Sequence, residues 1–170
     1  MFAKTRSNLP MIEQKLYDYL NVQNIPFETF EHVPAFTCEQ MTEIRAGLPD
    51  DFGDCKNLFL KAKKKRYYLI TALFETKIEL KKLAQDWNAP ELRFARPDEL
   101  EAILGVKPGS VTLFALINDT ERKVTPILDK NLFNFPRIGL HPLRNDMTTL
   151  VTPQDAEKFV CSLGYEFWTL

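Results

Sequence analysis

The sequence predicts a mixed α/β (α+β) fold, in which a mixed, mostly antiparallel sheet is flanked by helices in a single domain. Helix-like and strand-like segments alternate along the chain without the regular βαβ series of a doubly wound sheet. The 170 residues suffice for one sizeable core, and no repeat, low-complexity tract or linker divides them. We therefore expect one domain over residues 1–170, with residues 1–10 as a flexible N-terminal segment.

The first part of the chain predicts a helix, a strand and a second helix. Apolar residues recur at helical spacing in residues 11–23, whereas apolar and polar residues alternate in residues 27–31. Thr37 and Gln40 have the spacing of a capping box and open the second helix, for which Gly47 is the expected C-terminal cap.

The next segment predicts a β-hairpin followed by a helix. Residues 55–61 and 67–70 are strand-like and flank a basic turn at residues 63–66. Thr76 and Glu79 have the spacing of a second capping box, at the start of an amphipathic helix.

The second half predicts two further helices among short strands. Pro97 and Gly105 have the chemistry of a helix start and a helix end, after a short strand in residues 91–95. Residues 111–117 are strongly apolar and predict a central strand, for which residues 123–128 are the partner.

The C-terminal part predicts a pair of short strands, a helix and a last strand. Residues 137–141 and 147–151 are the strand pair, and the last helix begins at Thr152 and ends at Gly164. Residues 165–168 form the terminal strand.

Composition limits the classes of function. A net charge of −1 argues against a protein that coats nucleic acid nonspecifically, but it allows a local basic face. The three cysteines form no C-x-x-C pair, which argues against a disulfide framework or a zinc site. Residues 1–10 lack the apolar run of a signal peptide, and no stretch approaches the ~20 apolar residues of a membrane span. We expect a cytoplasmic protein that does not bind membranes.

Common catalytic motifs are absent. The chain has no G-x-G-x-x-G, P-loop, H-E-x-x-H or G-x-S-x-G sequence, and its two histidines exclude a His-rich metal centre. A Cys–His nucleophilic pair that uses Cys55 or Cys38 stays open as an alternative, although a free cysteine is usually a small buried apolar residue.

Several short motifs follow one another in a fixed order along the chain. They are His32, Pro34 and Phe36, then Lys-Asn-Leu-Phe-Leu at residues 56–60, residues 104–112, Ile-Asn-Asp at 117–119, and His-Pro-Leu at 141–143 with Asn145, Thr148 and Thr149. Together they resemble the YbaK/ProX family of aminoacyl-tRNA editing domains, from about Ile12 to the end of the chain. The His-Pro-Leu motif is similar to the freestanding branch, which resembles prolyl-tRNA deacylases that clear alanine from proline tRNA.

The resemblance implies a YbaK/ProX-like fold and a trans-editing hydrolase that cleaves the ester of mischarged tRNA, with Ala-tRNA(Pro) as the expected substrate. The ester is already activated, so a water molecule, a proton acceptor and stabilisation of the oxyanion suffice. In this family the substrate's own ribose hydroxyl is expected to assist, and no cofactor or metal is implied. Cysteine or serine as the amino acid, or a non-catalytic module that binds tRNA or a synthetase, are the alternatives.

The resemblance also implies a set of site residues. Lys56 and His141 are the expected catalytic residues, and Asn57, Phe36, Thr37, Gly139 and Asn145 are the expected substrate-binding residues. In a regular strand Asn57 points away from Lys56, so Asn57 needs a bulge or serves as a backbone anchor. Phe36 and Thr37 enter a helix N-terminus, where backbone amides bind anions or carbonyls, and Gly139 permits a close approach to its backbone.

The basic turn supplies candidates for contacts with tRNA phosphates, namely Lys61, Lys63, Lys64, Lys65 and Arg66. The expected partners are the aminoacylated 3′ end and acceptor stem of tRNA, with prolyl-tRNA synthetase as a further candidate. A monomer or a weak homodimer is expected.

Overall fold

An eight-stranded mixed sheet organises the protein in the computed structural model, which describes residues 11–34 and 43–170. The strands are β1 (Glu28–Glu31), β2 (Phe52–Ala62), β3 (Arg66–Leu73), β4 (Arg93–Phe94), β5 (Val124–Leu128), β6 (Arg137–Leu140), β7 (Met147–Val151) and β8 (Trp168–Thr169). Seven of them follow the order β1-β7-β6-β2-β3-β5-β8. The eighth, β4, is not part of this order and pairs with β2. Four of the seven described strand pairs are antiparallel, which confirms a mixed, mostly antiparallel sheet.

Helices flank the sheet as predicted. They are α1 (Met11–Val22), α2 (Leu80–Asp86), α3 (Pro97–Leu104) and α4 (Pro153–Ser162), with 3-10 helices at Lys63–Lys65, Leu113–Asn118 and Lys130–Asn134. Residues 43–46 are also helical and end before Gly47, whereas the predicted cap residues Thr37 and Gln40 lie outside the described residues. No helix within the described ranges has the length and apolar character required to cross a membrane.

The β2–β3 hairpin is the centre of the sheet, and its register runs without a slip from Cys55 opposite Leu73 to Ala62 opposite Arg66. Both faces of this hairpin are buried. Phe59 belongs to the larger core cluster, which includes residues of α1, α3 and α4, whereas Leu60 belongs to a smaller cluster against which α2 packs. Burial of each such side chain stabilises the fold by about 1.5–3 kcal/mol.

Local cap chemistry correctly predicts two helices. Pro97 is the first residue of α3, and Gly105 ends it with φ of 64°, a left-handed conformation that suits glycine. At α4, the Thr152 hydroxyl accepts a hydrogen bond from the Asp155 amide at 3.1 Å.

The apolar run 111–117 was wrongly predicted as a central strand. Leu113–Asn118 is a 3-10 helix whose first five residues are all buried, and the Thr112 hydroxyl caps it by accepting from the Phe114 amide. A continuous apolar run cannot distinguish a buried strand from a buried helix, because burial on all sides removes the periodicity. The predicted pairing of residues 123–128 with this run is therefore wrong too, and β5 instead pairs in parallel with β3 and β8.

The predicted capping box of Thr76 and Glu79 is also wrong. Helix α2 begins at Leu80, and Glu79 precedes it without a side-chain cap. The Thr76 hydroxyl instead donates to the carboxylate of Asp129, which is 1% exposed. A buried carboxylate needs hydrogen-bond donors, and this long-range demand outweighs the local cap.

Candidate active site

The register of β2 and β6 directs Lys56 and His141 toward one face of the sheet. The two strands are parallel, with Phe52 opposite Arg137 and Asp54 opposite Gly139. Paired residues point to the same face, and side chains alternate along a strand. Lys56 and His141 each lie two residues beyond the Asp54–Gly139 pair. Their side chains therefore point to the same face of the sheet as Asp54 and Gly139.

The ring of His141 is held in one tautomer. Its Nδ1–H donates to the Met147 carbonyl at 3.1 Å, because a carbonyl oxygen can only accept. In the neutral ring the lone pair is then on Nε2. Burial, partly offset by the Met147 hydrogen bond, lowers the pKa of His141 below its ordinary value. His141 is thus neutral at physiological pH, and Nε2 can accept a proton or a hydrogen bond.

The second histidine, His32, lies close to this site. Its Nδ1–H donates to the Val33 carbonyl at 2.9 Å, and its Nε2 accepts from the Thr148 hydroxyl at 3.0 Å. The backbone amide of His32 donates to the Asp146 carbonyl at 2.9 Å. The positive charge of a protonated His32 opposes protonation of His141, which lowers the pKa of His141 further. Sequence reasoning noted His32 in a motif but not in the site, because its contact with Thr148 depends on the pairing of β1 with β7.

The ammonium of Lys56 is held by main-chain oxygens. It donates to the Phe74 carbonyl at 2.8 Å and also to the Thr76 carbonyl. No carboxylate in the described part of the chain forms a salt bridge with it. Two of the three ammonium protons therefore donate to these carbonyls. The third proton can donate to an anionic ligand, and the positive charge of the ammonium can attract it.

Asp129 fixes the loop that holds Lys56. Its carboxylate accepts from the Thr76 hydroxyl, from the Leu73 amide at 3.4 Å and from the Asn131 amide at 2.9 Å. The Thr76 carbonyl that binds Lys56 belongs to the same residue whose hydroxyl binds Asp129. The position of the ammonium is thus coupled to a buried carboxylate.

Phe74 is a candidate site residue that sequence reasoning missed. Its amide donates to the Asp54 carbonyl at 2.9 Å, which extends the hairpin by one residue and directs its ring to the face of Asp54. The ring is 62% exposed, and its centroid is 6.0 Å from the Lys56 ammonium. An exposed aromatic ring beside a cation can stack a nucleobase. The only sequence signal is an aromatic residue at the end of a predicted strand.

Comparison with known proteins identifies the family of the chain. A family model described as aminoacyl-tRNA editing domain matches residues 32–159. The chain belongs to this aminoacyl-tRNA editing domain family, also known as the YbaK/ProX family. Editing by such a domain is hydrolysis of the bond between amino acid and tRNA, so the chain is an aminoacyl-tRNA deacylase. The resemblance found in the sequence motifs is confirmed.

Two relatives are similar over most of their length. The prolyl-tRNA editing protein ProX of Acetoanaerobium sticklandii is 33% identical over 156 residues, covering 91% of this chain and 94% of the relative. The prolyl-tRNA synthetase associated domain-containing protein 1 of Danio rerio is 36% identical over 151 residues, covering 88% of this chain and 81% of the relative. A solved structure of a candidate trans-editing enzyme for prolyl-tRNA synthetase has the same fold, with a TM-score of 0.72 at 17% identity and coverage of 96% and 98%.

The editing domain has no space beside Gly139. A Cβ atom on Gly139 would lie 2.7 Å from Cε2 of Phe52 and 3.2 Å from Cγ2 of Thr148. The Phe52 ring is itself covered by the guanidinium of Arg45, 3.9 Å from the ring centroid. The Phe52 ring thus fills the space that a side chain at position 139 would need, so only glycine fits there without a shift of its neighbours.

The structure separates Asn57 from Lys56. The hairpin register is continuous through both residues, so no bulge rotates Asn57 toward the Lys56 face. Its Oδ1 accepts from the Thr71 hydroxyl at 2.7 Å on the opposite face. The Asn57 side chain thus binds β3 through a side-chain contact, and its expected role in substrate binding stays a prediction.

The remaining predicted substrate-binding residues lie in loops. If Gly109 carried a Cβ atom, that atom would lie 3.7 Å from the side-chain amide nitrogen of Asn145. The loop after His141 therefore packs against the turn at residues 107–110. Phe36 and Thr37 lie outside the described residues.

The basic turn divides into paired and unpaired cations. Lys61 forms a salt bridge with Glu99, and hydrogen bonds from the Arg96 amide and from Lys61 lower the pKa of Glu99 to about 2. Lys63 is 3.4 Å from the Glu91 carboxylate, and Arg66 donates to the Asn88 carbonyl at 2.6 Å. Three exposed residues of the turn make no ion pair with any described residue: Lys64, Lys65 and Arg66.

The Cys–His alternative is not supported at Cys55. Its thiol donates weakly to the Gly53 carbonyl, with a sulfur–oxygen distance of 3.7 Å, and burial raises the pKa of the Cys55 thiol far above its ordinary value. A thiol that stays protonated is a poor nucleophile. Cys38 lies outside the described residues, and no group of three or more His, Cys, Asp or Glu within the described ranges could hold a metal ion.

Proposed function

We propose that the chain is a trans-editing hydrolase for mischarged prolyl-tRNA, with Ala-tRNA(Pro) as its substrate and with substrate-assisted attack by water. The observation that carries this proposal is the register of β2 and β6, which places Lys56 and His141 on one face of the sheet. Among the described residues, the Lys56 ammonium has no carboxylate partner, and Nε2 of the neutral His141 ring has no hydrogen-bond partner. Hydrolysis of an activated ester requires a positive group that stabilises the developing negative charge and a group that accepts a proton.

In this mechanism no protein side chain forms a covalent bond with the substrate. Water attacks the ester carbonyl carbon, the bond from that carbon to the ribose oxygen breaks, and the ribose oxygen takes up a proton. The neighbouring free ribose hydroxyl assists the water molecule. Nε2 of His141 accepts a hydrogen bond from the water or from the ribose, and Lys56 stabilises the negative charge of the terminal nucleotide or of the ester oxygen.

Selectivity for alanine follows from exclusion. The Phe52 ring and the Thr148 methyl group occupy the space beside Gly139, two residues before His141. We infer that a small amino acid fits beside this packed segment whereas a proline ring clashes with it, and a clash discriminates more strongly than a missing methylene group. The names of the relatives refer to prolyl-tRNA or its synthetase, which supports prolyl-tRNA as the substrate class and the synthetase as a candidate partner.

The test is a deacylation assay with tRNA(Pro) charged with alanine, cysteine, serine or proline. We expect fast hydrolysis of the alanyl ester and little hydrolysis of the prolyl ester. Lys56→Ala should slow hydrolysis by about 100-fold, the scale on which one charge-stabilising donor acts. Lys15→Ala, which removes an exposed lysine on α1, is the matched control and should retain full activity.

Each contrary outcome has a specific meaning. Full activity of folded Lys56→Ala contradicts the role of Lys56. Faster hydrolysis of the cysteinyl or seryl ester identifies one of those amino acids as the substrate. If tRNA binds but no ester is cleaved, the chain is a non-catalytic module that binds tRNA.

A further inference from the structure

β4 and β6 lie along the same edge of β2. β3 occupies one edge of β2, and the Phe74 amide bonded to the Asp54 carbonyl extends that edge beyond Cys55. β6, which pairs at residues 52–54, and β4, which pairs at residues 60–61, must therefore lie on the other edge. Because β6 is parallel to β2, its C-terminal end at His141 points along this edge toward β4.

Phe94 of β4 lies on the same face as Lys56. It pairs with Leu60, and Leu60 shares a face with Lys56 because the two are four residues apart in a regular strand. Four residues of strand correspond to about 13 Å. The Phe94 side chain is 56% exposed. A large apolar ring is thus open to solvent a short distance from the candidate active site, along one face of the sheet.

The surroundings of Phe94 are positively charged. Arg93 precedes it, Arg96 follows it, and the basic turn at residues 63–66 extends from the strand with which it pairs. Glu99, the buried carboxylate of this region, is already neutralised by Lys61. The exposed carboxylates Glu91 and Asp98 pair with Lys63 and Arg96, at 3.4 and 3.0 Å. Arg93 also lies 3.7 Å from the Glu99 carboxylate, which Lys61 already contacts. Lys64, Lys65 and Arg66 pair with no described carboxylate, so this surface has an excess of cations.

We propose that this surface, formed by Phe94, Arg96, Lys64 and Lys65, binds the unpaired 3′ segment of the RNA whose terminal ester lies at Lys56. One base stacks on the Phe94 ring, and the cations contact the phosphates on either side of it. An exposed aromatic ring among cations is the arrangement by which proteins bind unpaired nucleotides, since a duplex hides the faces of its bases. The proposal rests on the proposed function, which places the ester at Lys56.

The test measures binding of two uncharged RNAs, a full tRNA(Pro) transcript and the same transcript without its last four nucleotides. Phe94→Ala should weaken binding of the full transcript by about tenfold and leave binding of the truncated one unchanged. Phe94→Trp, which restores a stacking ring, should bind the full transcript as the wild type does. Equal weakening of both RNAs by Phe94→Ala, or no weakening of either, overturns the proposal.

The charge of the surface is tested by salt dependence. The double variant Lys64→Gln and Lys65→Gln should reduce the slope of log affinity against log salt by about 0.7 for each single-strand phosphate that the variant no longer neutralises. Lys15→Gln with Lys123→Gln, which removes two exposed lysines elsewhere, should leave the slope unchanged. An equal slope in the two double variants contradicts the role of Lys64 and Lys65 in binding phosphates.

Failure of this proposal and failure of the proposed function are distinguishable. The binding assay uses uncharged RNA and does not depend on hydrolysis. If the wild type does not hydrolyse Ala-tRNA(Pro), the proposed function fails while the binding data still decide the role of the surface. If hydrolysis occurs but Phe94→Ala binds both RNAs normally, the surface alone is refuted.

Discussion

The Nδ1–H of His141 donates to the Met147 carbonyl at 3.1 Å, and this hydrogen bond places the lone pair of the neutral ring on Nε2. The pKa of His141 is lowered by burial, so its neutral form persists to more acidic pH than that of an ordinary histidine. If Nε2 is the proton acceptor, activity is lost only when His141 becomes protonated. The acid limb of kcat/KM should therefore lie below the ordinary histidine value of about 6.5.

His141→Asn tests this assignment. The shorter amide can still donate to Met147 but offers no base, so hydrolysis of Ala-tRNA(Pro) should fall by about 100-fold and the acid limb should disappear. The uncatalysed rate rises with pH and must be subtracted at each pH. An unchanged acid limb in His141→Asn would assign the titration to another group.

Phe74→Ala removes an exposed ring without removing the main-chain carbonyl that holds Lys56. Loss of one stacked base costs about 1–3 kcal/mol, so KM for Ala-tRNA(Pro) should rise by about tenfold with little change in kcat. Phe74→Tyr keeps the ring and should behave as the wild type does. A fall in kcat at constant KM would instead show that the ring acts on the reacting ester.

Gly139→Ala should destabilise the protein, because the new Cβ would lie 2.7 Å from the Phe52 ring. Overpacking of this kind costs about 1–3 kcal/mol, which corresponds to a fall in Tm of roughly 2–12 °C. Adding Phe52→Leu should recover part of the stability, since the smaller side chain makes room for the methyl group. Thermal unfolding of both variants gives the comparison, and an unchanged Tm in Gly139→Ala would contradict the close packing.

Cys55→Ala should retain hydrolysis of Ala-tRNA(Pro) within about threefold of the wild-type rate, because a buried thiol with a raised pKa does not act as a nucleophile. The small cavity should lower stability by about 1 kcal/mol, so the assay belongs well below the unfolding temperature. A 100-fold loss in a folded Cys55→Ala protein would revive the Cys–His alternative.

Features with local causes are predictable from the sequence. Pro97 and Gly105 delimit α3 through backbone conformation, and Thr152 starts α4 through one hydrogen bond to a neighbour three residues away. The β2–β3 hairpin follows from two strand-like runs on either side of a polar turn. Alternation along the strand alone separates Lys56 from Asn57, and the structure contains no bulge that would change this.

Features with distant causes are not predictable in the same way. Thr76 has the spacing of a cap but binds Asp129, which is 53 residues away in sequence. His32 and Thr148 are 116 residues apart and meet only because β1 pairs with β7. Phe74 enters the site because the hairpin continues by one residue beyond β3.

The sequence by itself thus determined the family, the mixed fold class and the two residues, Lys56 and His141, that carry the proposed chemistry, because ordered motifs and local propensities are written in neighbouring residues. The tertiary structure decided how these residues are presented. It selected the free nitrogen of His141 and left the Lys56 charge without a carboxylate partner among the described residues. It also placed Phe74 and Phe94 on the Lys56 face. Strand register and burial decide such relationships, and both depend on contacts between distant parts of the chain.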